Sequence, residues 1–231
     1  TEDMDDIAVK RFINEAKAAA LVEHPNIVQV YDIEEMDEFY FIIMEFVKGS
    51  GVDEILKRKG ALPGRKAVDI LIPATAGLKA IHKAKLIHRD IKPANIMITV
   101  EGEVKITDFG IVKETHAQEA LTAANAVVGT PHFMAPEQIN SPNIDARADI
   151  YALGSTFYYM VTKKYPFKGN TMQLFYKVMN EPPVPPHKII PRLDKKISDI
   201  ILKMMEKKPE NRYQSAQEVL NALNEYKVKN K

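Results

Sequence analysis

Residues 149–162 read Asp149-Ile150-Tyr151-Ala152-Leu153-Gly154-Ser155-Thr156-Phe157-Tyr158-Tyr159-Met160-Val161-Thr162, apolar nearly all round at helical spacing. A surface helix carries a single apolar stripe, whereas one with no polar face has to be enclosed on every side. The other elements must therefore be built around this segment. A chain of 231 residues, 45% of them apolar, is long enough to do so in one large domain or one and a half.

The enclosing elements are legible as periodicities. Residues 66–84 carry Leu71, Ala74, Leu78 and Ile81 at helical spacing. Pro73 lies inside that run, where it costs about 3 kcal/mol or forces a kink unless packing compensates. Ile197, Ile200, Ile201, Met204 and Met205 mark another amphipathic helix. The last helix is expected to begin at Ser215, with Glu218 closing a capping box. Earlier, residues 10–23 predict a helix with Phe12, Ala16, Ala19 and Val22 on one stripe and Glu15 beside it. His24-Pro25-Asn26 ends it, because the residue before proline is driven out of the helical region. Residues 27–33 and 39–47 are β-rich and flank an acidic turn at 34–38, and residues 96–99 and 104–107 form a second hairpin around Glu101-Gly102. Gly49-Ser50-Gly51 is expected to be a flexible joint, residues 114–125 a loop, and residues 181–186, rich in proline, a rigid connection between helices.

Composition removes several classes of function. With 32 basic and 31 acidic residues the net charge is +1, which gives no electrostatic reason to expect nucleic-acid or membrane-surface binding. No apolar run reaches the eighteen or so residues of a membrane span. The absence of cysteine excludes disulfides and thiolate zinc sites and fits a reducing, cytoplasmic setting.

The chemistry is concentrated in His88-Arg89-Asp90-Ile91-Lys92-Pro93-Ala94-Asn95, followed by Asp108-Phe109-Gly110 after a short hairpin. Asp90 follows the apolar Leu86-Ile87 and can accept the proton of a substrate hydroxyl as a general base. Lys92 can reach a migrating phosphoryl group. Asn95 and Asp108, on either side of the hairpin, offer hard oxygen ligands suited to Mg²⁺. Singly, an aspartate in a loop is more often a turn residue. Base, cation and metal ligands in this order are what phosphoryl transfer from a nucleotide requires.

These two loops resemble the catalytic and metal loops of protein kinases. Val128-Gly129-Thr130-Pro131-His132-Phe133-Met134-Ala135-Pro136-Glu137 resembles the end of their activation segment. Asp149-Ile150-Tyr151-Ala152-Leu153-Gly154 resembles the central-helix motif whose Asp bonds the catalytic-loop backbone. Pro209-Glu210-Asn211-Arg212 resembles the late motif whose Arg pairs with the Glu of the segment end, here Glu137 with Arg212. The resemblance spans nearly the whole chain and is to eukaryotic-like Ser/Thr protein kinases, with wording at residues 129–138 similar to their bacterial branch. It implies an α+β kinase-like fold: a partial small lobe of helix and β-hairpin over 1–47, and a mainly helical large lobe over 48–231. It implies transfer of the ATP γ-phosphoryl group to protein Ser/Thr hydroxyls, with ATP and Mg²⁺ as cofactors. Glu45 and Val47 would meet the adenine through backbone groups, with Met44 as gatekeeper and Met97 beneath the ring. Glu15 would be the helix glutamate paired with an ATP-binding lysine. Arg89 would pair with a phosphate on the activation segment, for which Thr115 and Thr122 are the candidates. Lys92 and Thr130 follow the pattern of Ser/Thr specificity.

The sequence also departs from that family. No glycine-rich loop precedes Glu15, and Lys10 lies too close to it to serve as the strand lysine, since both would fall on one helix. The expectation is a chain cut after the third strand of the small lobe, weak or inactive in phosphotransfer alone, from a parent that is active, forms a dimer and is anchored in a membrane. Ala94 and Tyr159 stand where basophilic kinases carry acids, so no Arg-directed consensus is expected. Ala19 stands where the family's regulatory stack, here with Val30, His88 and Phe109, has a larger residue. Two other readings are a non-catalytic kinase-like binding domain and a small-molecule kinase. The intact Asp90, Lys92, Asn95 and Asp108 weigh against the first, and the segment ending in Glu137 against the second.

Overall fold

The computed structural model describes residues 17–36, 39–108, 131–141 and 143–229. The apolar segment forms helix α4 (Arg147–Thr162) and is buried from Ala148 to Thr162 except at Tyr159. Several of its polar side chains bond inside the core. Ser155 Oγ donates to the His132 carbonyl, Thr162 Oγ1 to that of Tyr158 and the Tyr158 hydroxyl to that of Val184. Gly154 is a close-approach position: a Cβ there would lie 2.7 Å from Met204 Cβ. The chain leaves the helix at Lys163, in the left-handed conformation at φ 54°.

The other helices are α1 (Val52–Lys59), α2 (Gly64–Lys83), α3 (Pro136–Asn140), α5 (Thr171–Asn180), α6 (Pro186–Ile189), α7 (Lys195–Met204) and α8 (Ala216–Lys229), of which α2, α6 and α7 pack directly on α4. Helix α2 begins two residues before the sequence reading placed it, with Pro63 at its N-cap, and runs unbroken through Pro73. Leu71, Ala74, Leu78 and Ile81 are wholly buried, and this burial offsets the missing N–H of Pro73. Helix α7 starts at Asp194, whose side chain accepts from the Lys196 N–H. At α8 half of the expected capping box forms, the Glu218 N–H donating to Ser215 Oγ at 3.3 Å, while Glu218 Oε2 accepts from the Gln214 N–H rather than that of Ser215. The stretch 181–185 links α5 to α6 as expected.

Strands β1 (Val30–Met36) and β2 (Phe39–Met44) pair antiparallel from Val30↔Met44 to Met36↔Phe39. Pairing thus continues through Glu34, Glu35 and Met36, which the sequence reading gave to the turn. Charged residues are tolerated there because this ribbon is exposed on its outer positions. The second sheet corrects another expectation. Gly49-Ser50-Gly51 is a strand, β3 (Gly49–Gly51), paired with β4 (Ile96–Thr99), which in turn pairs with β5 (Val104–Ile106). Its glycines give closeness rather than flexibility, for a Cβ on Gly49 would sit 2.2 Å from the Ile98 carbonyl oxygen. Residues 17–20 are helical, and the helix stops at Ala20, short of the expected residue 23. There the Gln29 side chain caps the Ala20 carbonyl. The β1–β2 ribbon is tied to the second sheet through Val28 N–H donating to the Ile106 carbonyl, and through Lys105 Nζ with the Glu45 carboxylate at 2.9 Å.

Candidate active site

The loop from His88 to Asn95 is shaped by Asp149, which is 1% exposed. The N–H groups of His88 and Arg89 donate to its two carboxylate oxygens, each at 2.8 Å. His82, on α2, places Nε2 2.8 Å from Oδ2. Three partners satisfy a buried carboxylate that would otherwise be costly to enclose. Held this way, Arg89 adopts φ 64°, a left-handed conformation that a side chain of its size rarely takes. Strain of this kind persists only where the surroundings over-determine it, and it collects at functional sites. Asp108 is also left-handed, at φ 54°, as are Lys85 and Lys163 outside the site.

Beyond that bend three of the sequence-predicted residues converge. Lys92 Nζ lies 2.7 Å from Asp90 Oδ2. The Asn95 amide donates to the same oxygen at 3.1 Å and to the Asp90 carbonyl at 2.9 Å. Asn95 is itself 3% exposed, and its carbonyl accepts from the Thr107 N–H at 3.0 Å. With its nitrogen committed to Asp90, the oxygen of the Asn95 side chain is the atom it has to offer a metal. That Thr107 bond brings the residue before Asp108 against the loop, and Asp108 stands exposed at the end of β5. His88 is fully buried, with Nε2 3.0 Å from the Thr107 carbonyl and Nδ1 accepting from the Asp90 N–H. Burial pushes its pKa down, against the pull of Asp149.

Met44 ends β2, and Glu45 and Val47 follow it on the strand-to-sheet connection. The Glu45 N–H donates to the Gln29 carbonyl at 2.8 Å. Burial works to raise the pKa of its carboxyl, but bonds from Lys105 and the Gln29 N–H outweigh that and hold it low. Met97 lies on β4 opposite Gly51. Glu137 and Arg212 meet in a bidentate pair at 2.6 and 2.7 Å, and the Arg212 guanidinium also donates to the carbonyls of Glu206, Arg147 and Lys207. Glu15, Lys10, Phe109, Thr115, Thr122 and Thr130 lie outside the described residues.

Three structural partners were missed in the sequence reading. His82 was read only as part of a helix, although its position on the Leu78–Ile81 side could have placed it toward the core. Gln138 accepts from the Ala135 N–H and donates to the Arg89 carbonyl, so it ties α3 to the bend at Arg89. Lys105 carried no signal, since its pairing with Glu45 spans two sheets.

A two-sided arrangement, with a mainly helical body beneath a small β part and a carboxylate–lysine–carboxamide cluster near their junction, defines the class of protein kinase domains. The chain belongs to that family: residues 1–223 match the family described as protein kinase domain. A probable serine/threonine-protein kinase of Clostridium perfringens is 41% identical over 220 residues, covering 95% of this chain and 32% of that protein. The serine/threonine-protein kinase PknB of Mycobacterium leprae is 37% identical over 214 residues, covering 90% of this chain and 34% of its own length. The chain thus spans about a third of the length of these curated relatives. Among solved structures, Rad53 1–466 in complex with AMP-PNP superposes with a TM-score of 0.78 at 27% identity, over 92% of this chain and 54% of that one. The α+β kinase-like fold expected from the sequence agrees with this likeness.

Proposed function

We propose that this chain is the catalytic part of a serine/threonine protein kinase, moving the γ-phosphoryl group of ATP to Ser or Thr hydroxyls of proteins. The observation that carries the reading is the Asp90–Lys92–Asn95 cluster, fixed on a strained loop by two amides bound to Asp149. A structural loop has no need of a carboxylate, an ammonium and a carboxamide on one another.

The residues present suit a magnesium nucleotide. Mg²⁺ is commonly held by one or two side-chain oxygens together with phosphate oxygens, and Asn95 and Asp108 supply such a pair without a larger acidic cluster. When bound, the metal offsets charge on the phosphates. Asp90 accepts a hydrogen bond from the acceptor hydroxyl and takes its proton as that oxygen bonds to phosphorus and the bond to ADP breaks. Lys92, already against Asp90, is placed to meet the equatorial oxygens of the transferring group. Glu45 and Val47 contribute backbone groups to the adenine, Met44 closes the back of the cleft as gatekeeper and Met97 packs beneath the ring. Residues 1–47 and 48–231 form the two lobes. Glu15 pairs with the phosphate-binding lysine, and Arg89 receives a phosphate carried by Thr115 or Thr122. Thr130 lines the Ser/Thr acceptor. The setting is cytoplasmic, and the parent acts as a dimer. Among the described residues no helix is long and apolar enough to cross a membrane.

Phosphotransfer from radiolabelled Mg·ATP to a generic Ser/Thr-containing protein tests the reading. Asp90→Asn is expected to lower the phosphotransfer rate of the active parent about 10²-fold or more. Asp108→Asn is expected to weaken Mg²⁺-dependent nucleotide binding, read by calorimetry. Rates and affinities untouched by either substitution would overturn the assignment.

A further inference from the structure

We infer that Lys105 is a positioning residue for the nucleotide: its ammonium clasps Glu45 and holds the connection that follows β2 in one place. The nucleotide rests on the kinase reading of the site; the clasp itself does not.

The lysine is the first observation. Strand β5 buries Val104 and Ile106, so alternation sends Lys105 to the opposite face, beside its cross-strand partner Met97. A lysine on a sheet face ordinarily runs its head out to water. This side chain is instead 13% exposed, with Nζ 2.9 and 3.0 Å from the two carboxylate oxygens of Glu45.

The carboxylate is the second. Its Oε2 also accepts from the Gln29 N–H, while the Glu45 N–H donates to the Gln29 carbonyl at 2.8 Å. Gln29 is held in turn, its side-chain amide donating to the carbonyls of Ala20 and Val30. On the same strand as Lys105, the Ile106 carbonyl accepts from Val28 and the Ile106 N–H donates to Asn26. Residues 26–29 therefore lie along β5 by main-chain bonds, and Lys105 brings Glu45 itself into that joint. An exposed ion pair does little to fix a chain. This pair is mostly out of water, uses both oxygens and is extended by a backbone amide.

The connection is the third. Residues 45–48 belong to no strand or helix, so their place depends on what grips the ends. Glu45 is gripped at one end, and at the other the Lys48 carbonyl accepts from the Val100 N–H at 3.0 Å. Phe46 and Val47 span the gap between these anchors. Backbone groups fixed beforehand bind a ring without the cost of ordering the chain that carries them. Loss of Lys105 frees one anchor and leaves the groups themselves unchanged.

Amide hydrogen exchange of the 231-residue chain without nucleotide is the first readout. Lys105→Met is expected to speed exchange at the Glu45 and Val100 amides about tenfold, with those of α4 unchanged. Anisotropy of ADP labelled on its ribose, with Mg²⁺, is the second. Lys105→Met is expected to raise its Kd about tenfold, whereas magnesium pyrophosphate, which has no adenine, is expected to bind both chains alike. Lys105→Arg, which can still span both oxygens, is expected to restore most of the exchange protection and the affinity. Unaltered exchange at Glu45 in Lys105→Met would overturn the clasp. Faster exchange with ADP bound as before, or more tightly, would overturn its role in positioning. Equal losses for ADP and pyrophosphate would do the same, since they assign Lys105 to stability. A wild-type chain that binds neither probe goes against the kinase reading, and the exchange result then still decides the clasp.

Discussion

Asp149 and Arg89, 60 residues apart in sequence, are joined by a 2.8 Å hydrogen bond from the Arg89 N–H to Oδ1. Oδ2 of the same carboxylate takes the His88 N–H, so one buried side chain holds two successive amides of the bend that presents Asp90. The central helix is thus the reference against which the His88–Asn95 loop is positioned.

Asp149→Asn keeps the size of the side chain but sets an amide NH₂ against donor N–H groups. It is expected to destabilise the chain by about 3 kcal/mol or more, measured by urea unfolding. Any phosphotransfer activity is expected to fall with it.

His82→Leu removes the third partner of the same carboxylate from α2. The expected cost is about 1–3 kcal/mol. His82→Gln, which can still donate a hydrogen bond, is expected to recover part of it. Equal midpoints for Leu and Gln would show that packing, not the bond to Asp149, is what His82 contributes.

Arg212→Lys keeps the charge and loses the fork. Arg212 is 2% exposed and donates to Glu137 and to three backbone carbonyls at once, which a single ammonium cannot reproduce. A loss of about 1–3 kcal/mol, from carbonyls left without a donor, is expected by thermal or urea unfolding.

Gly49→Ala is expected to cost toward the upper end of about 1–3 kcal/mol, because the new Cβ meets the Ile98 backbone rather than a side chain that can move. A neutral result would return residues 49–51 to the role of a flexible joint.

Stability is expected to fall with acid through His88. Burial places its folded pKa below the 6.5 of an ordinary histidine, so below pH 6.5 the unfolded chain takes up a proton that the folded one refuses. The contribution is fully present above pH 6.5 and is lost as pH drops beneath it. NMR of the ring should show His88 still neutral, with its proton on Nε2, at a pH where an ordinary histidine has become protonated. A ring that titrates with an ordinary pKa would refute this.

Periodic elements were legible because their signals are local. The apolar circumference of residues 149–162 required a buried helix, and the spacing of Leu71, Ala74, Leu78 and Ile81 required another. Local rules failed where a partner distant in the chain decided the outcome. Glycines read as a joint at 49–51 became a strand because Met97, Ile98 and Thr99 lie against them. Pro73 did not break α2 because that face is buried on both sides of it.

For the candidate site, the sequence by itself determined the chemistry: which groups are present, in what order, and hence the family to which they belong. Motif residues carry that information because a base, a cation and hard oxygen ligands have few substitutes. Only the tertiary structure decided how those groups are held. Asp90, Lys92 and Asn95 could be listed from the sequence, but their convergence depends on Asp149, His82 and Gln138. Burial and hydrogen-bond geometry are properties of neighbours in space, and a linear chain does not state who those neighbours are.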